Sequence, residues 1–221
     1  MKKTLLSGLN AFIFDLDGTL IDSMPVWDKI YAAPFIKYDI DMPRDYILTV
    51  NHMGLDECVR YTLSNTPLTC GADELKGIWA AASLDEYALN IPLKEGAEEL
   101  LISLKERGIK IALATASPYE LFVPCLKRLN VYSLFDLFVS TDDVSHGKDD
   151  PEIYLEAAKK LGFPPENCAV AEDSHIGIVS AKTAGFFTIG VFDSASEKYA
   201  GFVKENSDLF VQSLKEVTAL L

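Results

Sequence analysis

From Pro92 to the C-terminal end, short apolar runs alternate with amphipathic stretches, and this alternation limits the possible folds more than any other feature. Glu95 to Arg107 carries Ala97, Leu100, Leu101 and Leu104 at the spacing of one helix face, with Gly108 placed to end the helix. Ile109 to Ala114 follows as a strand. Ser117-Pro118 then reads as an N-cap and first-turn pair opening a helix to about Leu129, which Pro124 should kink or shorten. Leu137–Val139 is a strand, and Asp150-Pro151 opens a helix closed by Gly162. Cys168–Ala171 is a strand, Ile176–Ala184 a helix closed by Gly185, and Phe187–Phe192 a strand. Leu209–Val211 is a short last strand before a tail helix. Repeated strand–helix–strand units of this kind imply a parallel sheet with helices on both faces.

The first apolar run, Ala11 to Leu16, stands apart from the others and stops at Asp17-Gly18, so it reads as a buried strand ended by a turn. Between about Ser23 and Asn90 the pattern becomes helical, with Trp27, Ile30, Tyr31, Pro34, Phe35 and Tyr38 three or four apart. The expected architecture is α/β: a doubly wound parallel sheet from residues 1–19 and 93–221, with a helical cap of residues 20–92 inserted after the first strand. Candidate hinges lie near residues 20–23 and 89–93.

The chain has 221 residues, 49% hydrophobic and 24% charged, which excludes a disordered chain and allows a full core. Lys and Arg number 20 against 33 Asp and Glu, for a net charge of −13. Such a surface disfavours nucleic acid and anionic membranes, and an anionic substrate would need a local positive site. Cys58, Cys70, Cys125 and Cys168 form no CxxC and no zinc-type spacing, so reduced thiols in a cytoplasmic protein are expected. The apolar run Ala11–Phe14 meets Asp15 after four residues, short of a signal core and of the about 20 residues of a membrane span.

In open parallel sheets, ligands bind beyond the carboxyl ends of the strands. After the first run comes Asp15-Leu16-Asp17-Gly18-Thr19, and after Ala114 comes Thr115-Ala116-Ser117. The segment after Val139 carries Asp142, Asp143 and then Gly147-Lys148, and Ala171 is followed by Glu172-Asp173. One rim thus gathers carboxylates for a hard cation and an ammonium and hydroxyls for phosphoryl oxygens. Taken singly, each feature has an ordinary explanation: a turn, a helix N-cap, a solvated loop lysine, charges at a helix start. Four together at four strand ends point to a magnesium and phosphate site.

These motifs, in this order and with a helical insert after the first, resemble the haloacid dehalogenase superfamily of phosphatases. They are Phe14-Asp15-Leu16-Asp17-Gly18-Thr19-Leu20, Leu113-Ala114-Thr115-Ala116-Ser117, Gly147-Lys148 with Pro151-Glu152-Ile153-Tyr154, and Ala171-Glu172-Asp173-Ser174 through Gly177 to Ala184-Gly185. The nearest subgroup has a helical cap and includes phosphoglycolate phosphatase-like and β-phosphoglucomutase-like proteins. The resemblance implies a Rossmann-like core and a Mg2+-dependent phosphatase of small phosphate monoesters. Asp15 would attack phosphorus to form an aspartyl-phosphate, while Asp17 would protonate the leaving alcohol and then activate water. Magnesium would be held by Asp15, the Asp17 main-chain carbonyl and Asp173, with Glu172 open between a direct and a water-mediated contact. Thr115, the Ala116 amide and Lys148 would hold the remaining phosphoryl oxygens. The expected partner is a small phosphorylated metabolite, with the chain a monomer or weak homodimer.

Two departures stand out. Asp149 occupies the position where the third motif commonly has Pro, placing a carboxylate beside Lys148. The lid segment Met53-Gly54-Leu55-Asp56-Glu57 is acidic where mutase relatives carry an Arg-bearing loop for a second phosphate. A β-phosphoglucomutase-like isomerase is therefore the competing reading. A phosphonatase or dehalogenase fits less well because Asp17 suits an alcohol leaving group. A receiver-like phospho-acceptor module is shorter and has no lid, and a non-catalytic binding module would not keep every motif position intact. His52, His146 and His175 share no metal-ligand spacing and read as surface or capping residues. Asp142 and Asp143 read as a polar loop, Trp27 and Trp79 as lid core, and Phe186-Phe187 as core.

Overall fold

The computed structural model describes residues 5–50, 53 and 55–221. Its sheet is built from β1 (Ala11–Phe14), β2 (Lys110–Thr115), β3 (Leu137–Ser140), β4 (Cys168–Glu172), β5 (Phe187–Val191) and β6 (Leu209–Val211). All pairings are parallel, in the order β3-β2-β1-β4-β5-β6. Each strand coincides with an apolar run read from the sequence. β1 ends sooner than that run because the chain turns at once: the Leu16 carbonyl accepts the N–H groups of Leu20 and Ile21, and Gly18 sits at φ +85°.

Among the described residues, four α-helices lie in the first part of the chain: α1 (Trp27–Lys37), α2 (Tyr46–Val50), α3 (Leu55–Asn65) and α4 (Ala72–Leu89). After them come α5 (Ala97–Glu106), α6 (Tyr119–Arg128), α7 (Glu152–Leu161), α8 (His175–Thr183), α9 (Glu197–Asn206) and α10 (Lys215–Thr218). The α5 stripe Ala97, Leu100, Leu101 and Leu104 is fully buried. Ala11 and Ile13 of β1 join Ala112, Ala114, Val170 and the α7 residues Ile153, Tyr154, Ala157 and Ala158 in one core cluster. Alternation sends Phe12 and Phe14, also fully buried, to the opposite face, so both faces of β1 are covered.

Two readings need correction. Ser117 is not a helix N-cap: α6 starts at Tyr119 with Pro118 at the cap position and no side-chain cap bond. Pro124 does not shorten α6. The helix runs on to Arg128, because Phe122, Cys125 and Leu126 bury its inner face and outweigh the one backbone bond that proline cannot make. Helix α9 has no counterpart in the sequence reading: its apolar residues Tyr199, Phe202 and Val203 share a face, but only Val203 is buried.

The chain separates into two compact units, Met1–Met24 with Ile91–Leu221, and Pro25–Asn90. The first unit retains both connecting segments because they pair with each other. Asp22 N–H bonds Pro92 O at 3.0 Å, Lys94 N–H bonds Leu20 O at 2.9 Å, and Ile21 bridges Leu93. The second unit is helical and centred on aromatic rings. Tyr31 lies 5.9 Å from Trp27 and 6.0 Å from Trp79, and Phe35 lies 4.9 Å from Tyr46. Trp79 is buried and Trp27 half-buried, and both line a partly open pocket of about 320 Å³ with Tyr31, Cys58 and Lys76. All four cysteines are free thiols.

Candidate active site

Strand order reverses direction at β1, whose neighbours are β2 and β4, and a doubly wound sheet opens its crevice at such a switch point. The segments after β1 and at the end of β4 therefore meet, although they are separated by more than half the chain. Asp15 N–H bonds Ala171 O at 3.0 Å, which pins the first acid against β4. Asp15, Glu172 and Asp173 are all buried, and each offers a carboxylate oxygen within 4.8 Å of the others.

One ammonium serves this group. Lys148 Nζ donates to Asp15 Oδ1 and, at 2.7 Å, to Glu172 Oε1, with its side chain only 13% exposed. Glu172 also accepts Tyr154 Oη at 2.9 Å and the Ser174 N–H at 2.9 Å. Gly177 makes room for this arrangement, since a Cβ there would come within 2.5 Å of Glu172 and 2.7 Å of Tyr154 Oη. Asp149, the residue beside Lys148, is exposed, while Lys148 turns inward to Asp15 and Glu172.

The remaining site residues are held by hydroxyl groups. Asp17 Oδ2 accepts Ser117 Oγ at 2.7 Å. Asp173 accepts Ser196 Oγ at 3.1 Å and Thr19 Oγ1 at 3.4 Å. Thr115 is fully buried and its Oγ1 accepts the Ser117 N–H at 3.0 Å, whereas Ala116 is exposed and its carbonyl accepts Thr141 Oγ1. Ser117, Thr19 and Tyr154 stand within the sequence motifs without an assigned role in the site, and Ser196 lies outside them. For Ser117 and Thr19 the available signal was a hydroxyl within the segment following a strand. For Tyr154 and Ser196 only the tertiary contact reveals the role.

The electrostatics follow from burial. Burial pushes the Asp15 carboxyl well above its ordinary range; Lys148 opposes this, while Glu172, Asp173 and Asp17 add to it. Asp173 is pushed up to about 7 by burial and by Glu172. Glu172 moves the other way, because Lys148 and the Ser174 N–H outweigh its burial and hold it below the usual carboxylate range. Burial would lower Lys148, but Asp15 and Glu172 hold it well above its ordinary value. Three buried acids share one ammonium, and this crowding contributes to the upward shifts of Asp15 and Asp173. An all-oxygen donor set of this kind fits a hard divalent cation.

Outside this rim, Asp143 accepts Tyr119 Oη and the Ser140 N–H, both at 2.8 Å, in a capped turn over Thr141–Asp143. His146 is exposed and pairs with Glu152 at 2.9 Å, with Asp150 close by. His175 stacks on Tyr199 with centroids 4.0 Å apart. His52 lies outside the described residues. Among the described residues, no helix is long and apolar enough to cross a membrane.

A doubly wound parallel sheet with paired acids after its first strand, a buried lysine after its third and two acids at its fourth defines a class of hydrolase. The family model for haloacid dehalogenase-like hydrolases matches residues 9–185, and the chain belongs to that family of enzymes. Hexitol phosphatase B of Escherichia coli (strain K12) is 32% identical over 214 residues, covering 95% of this chain and 94% of that protein. A phosphorylated carbohydrates phosphatase of Thermotoga maritima is 33% identical over 202 residues, covering 86% and 88% of the two chains. The crystal structure of a candidate beta-phosphoglucomutase from Thermotoga maritima superposes with a TM-score of 0.84 at 27% identity, covering 96% of this chain and all of that one.

Proposed function

We propose that the protein is a Mg2+-dependent phosphatase that hydrolyses a small phosphate monoester through an aspartyl-phosphate on Asp15. The observation that carries this reading is the buried cluster at the β1–β4 switch point, where Asp15 and Asp173 lie within 4.8 Å of each other and Lys148 pairs with Asp15. Asp15, Asp173 and the main-chain carbonyl of Asp17 would hold the magnesium ion, which would supply positive charge to offset repulsion between carboxylate and phosphoryl group.

In this reading Asp15 attacks phosphorus as the ester bond to the alcohol breaks, and Asp17 gives its proton to the departing oxygen. A water molecule then attacks phosphorus, Asp17 takes back a proton, and the Asp15–phosphorus bond breaks to release inorganic phosphate. Ser117 keeps the Asp17 carboxyl in place for both transfers. Lys148, oriented by Glu172 and Tyr154, steadies the phosphoryl oxygens together with Thr115 and the Ala116 amide. Glu172 acts as the partner of Lys148, since its two oxygens are engaged by Lys148, Tyr154 and Ser174. The inserted helical unit serves as the lid that excludes water and selects the leaving group. The names of the two phosphatase relatives favour a phosphorylated sugar or sugar alcohol.

Release of phosphate from p-nitrophenyl phosphate should require magnesium and vanish in Asp15→Asn. Unchanged turnover in that variant sinks the nucleophile assignment. A panel of hexitol and sugar phosphates then identifies the substrate. A mutase reading draws on the structural neighbour, but the acidic Asp56-Glu57 pair would receive a second phosphate poorly. Product analysis on glucose 1-phosphates separates the two: glucose 6-phosphate in place of inorganic phosphate would establish the mutase.

A further inference from the structure

Asp173 is held from two sides, and both holds lead back to Lys94. Lys94 Nζ donates to Gly18 O at 2.6 Å, to Phe192 O at 2.8 Å and to Asp193 Oδ2 at 2.8 Å. An ammonium has three N–H donors and no acceptor, so these contacts fill its capacity. Its side chain is 15% exposed, and its own backbone is fixed by the bond to Leu20 O.

The first arm runs through Gly18. This residue sits at φ +85°, and a Cβ on it would come within 2.8 Å of Asp173 Oδ2, so its main chain forms a wall beside that carboxylate. The second arm runs through Asp193, which is buried and accepts the Ala195 N–H at 2.9 Å as well as Lys94. Asp193 thereby caps the short turn Ser194–Ser196, and Ser196 Oγ donates to Asp173 Oδ2 at 3.1 Å. Two loops from different strands, after β1 and after β5, converge on one acid and are tied together by one lysine.

We propose that Lys94 is a positioning residue for the cation site: by clamping the turn at Gly18 to the turn at Ser194–Ser196, it sets where Asp173 presents its carboxylate and so the affinity for Mg2+. The inference rests on the reading of Asp173 as a magnesium ligand. Lys94 touches neither Asp15 nor Asp173, so its influence passes through the two turns. A lysine suits this place better than an arginine, because three converging acceptors match a pyramidal ammonium rather than a planar fork.

The test is calorimetric titration of MgCl2 into metal-free protein, which reads binding without turnover. Lys94→Met alone would leave Asp193 buried without its cation, so the decisive variant is Lys94→Met with Asp193→Asn. The folded double variant should bind magnesium about 10–100-fold more weakly than the parent, the usual worth of a group that orients a metal ligand. Lys94→Arg should recover part of that loss. A double variant that folds and binds within about threefold of the parent overturns the proposal. If the double variant does not fold, Ser196→Ala, which cuts one arm at its far end, decides instead: weakening by about threefold or more supports the clamp, and a smaller change overturns it. Asp173→Asn separates the two levels of the argument. Normal binding in the Lys94 variants with loss in Asp173→Asn removes the clamp and keeps the metal reading, whereas normal binding in Asp173→Asn removes both.

Discussion

Ser117 donates a 2.7 Å hydrogen bond to the carboxylate of Asp17, its partner across 100 residues of sequence. The second acid of the first motif is thus fixed by the segment after β2, while the first acid is fixed by Lys148 and β4. The two carboxylates are held differently and should fail differently. Asp17→Asn should bind magnesium nearly normally and lose about 10²–10⁴-fold in turnover, the worth of one general acid–base group. Asp15→Asn should lose metal affinity and turnover together. Ser117→Ala should cost about tenfold in turnover, the scale of one hydrogen bond to a charged group. Magnesium titration and single-turnover rates in the three variants check this; metal loss in Asp17→Asn with retention in Asp15→Asn reverses the assignment.

Glu172→Gln should destabilise the metal-free protein by about 2 kcal/mol. Breaking a buried ion pair is strongly destabilising, but here Asp15 remains as a second partner for Lys148. Urea unfolding measures the difference, and an unchanged midpoint would contradict the role given to the Lys148–Glu172 pair.

Gly177→Ala adds a methyl group that meets the Glu172 carboxyl at 2.5 Å and Tyr154 Oη at 2.7 Å. Overpacking of this kind costs about 1–3 kcal/mol, and relief by moving Glu172 would disturb Lys148. Thermal unfolding and turnover should fall together, and Tyr154→Phe in the same background should restore part of both.

Magnesium should raise the melting temperature by several degrees, because a ligand at about 100 times its dissociation constant stabilises the native state by about 2.7 kcal/mol. Chelation should reverse the shift, and Asp173→Asn should abolish it. An identical melting curve with and without magnesium counts against the site.

His146 supplies a pH test away from the site. Its hydrogen bond to Glu152, with Asp150 nearby, raises its pKa above the ordinary 6.5. The protonated imidazole is therefore favoured in the fold, and its contribution is complete below the unfolded value and fades as pH rises through the folded one. Glu152 also accepts the N–H groups of Ser145 and His146, so this pair anchors the loop leading to Lys148. A proton NMR titration should place His146 above 6.5, and Glu152→Gln should lower it. An unshifted value in both proteins refutes the pairing.

The sheet and the principal acids were legible in the sequence because each rests on a local rule. A strand buried on both faces must be an unbroken apolar run, and Ala11–Phe14 and Cys168–Ala171 are such runs. A right-handed βαβ sheet brings residues after its strands to one rim, so the sequence alone groups Asp15, Lys148, Glu172 and Asp173. What the sequence could not decide is which polar groups pair. Ser117 has the composition of a helix cap and the tertiary role of an Asp17 partner. Glu172 has the position of a metal ligand and the contacts of a lysine partner. Lys94 carried no signal, since a lysine after Leu93 is indistinguishable from a solvated one until Gly18, Phe192 and Asp193 converge on it. Apolar burial is set by side-chain periodicity along a short segment and is therefore written locally. Hydrogen-bond partnership depends on distances of a few tenths of an ångström between segments far apart in the chain, and only the packed fold determines it.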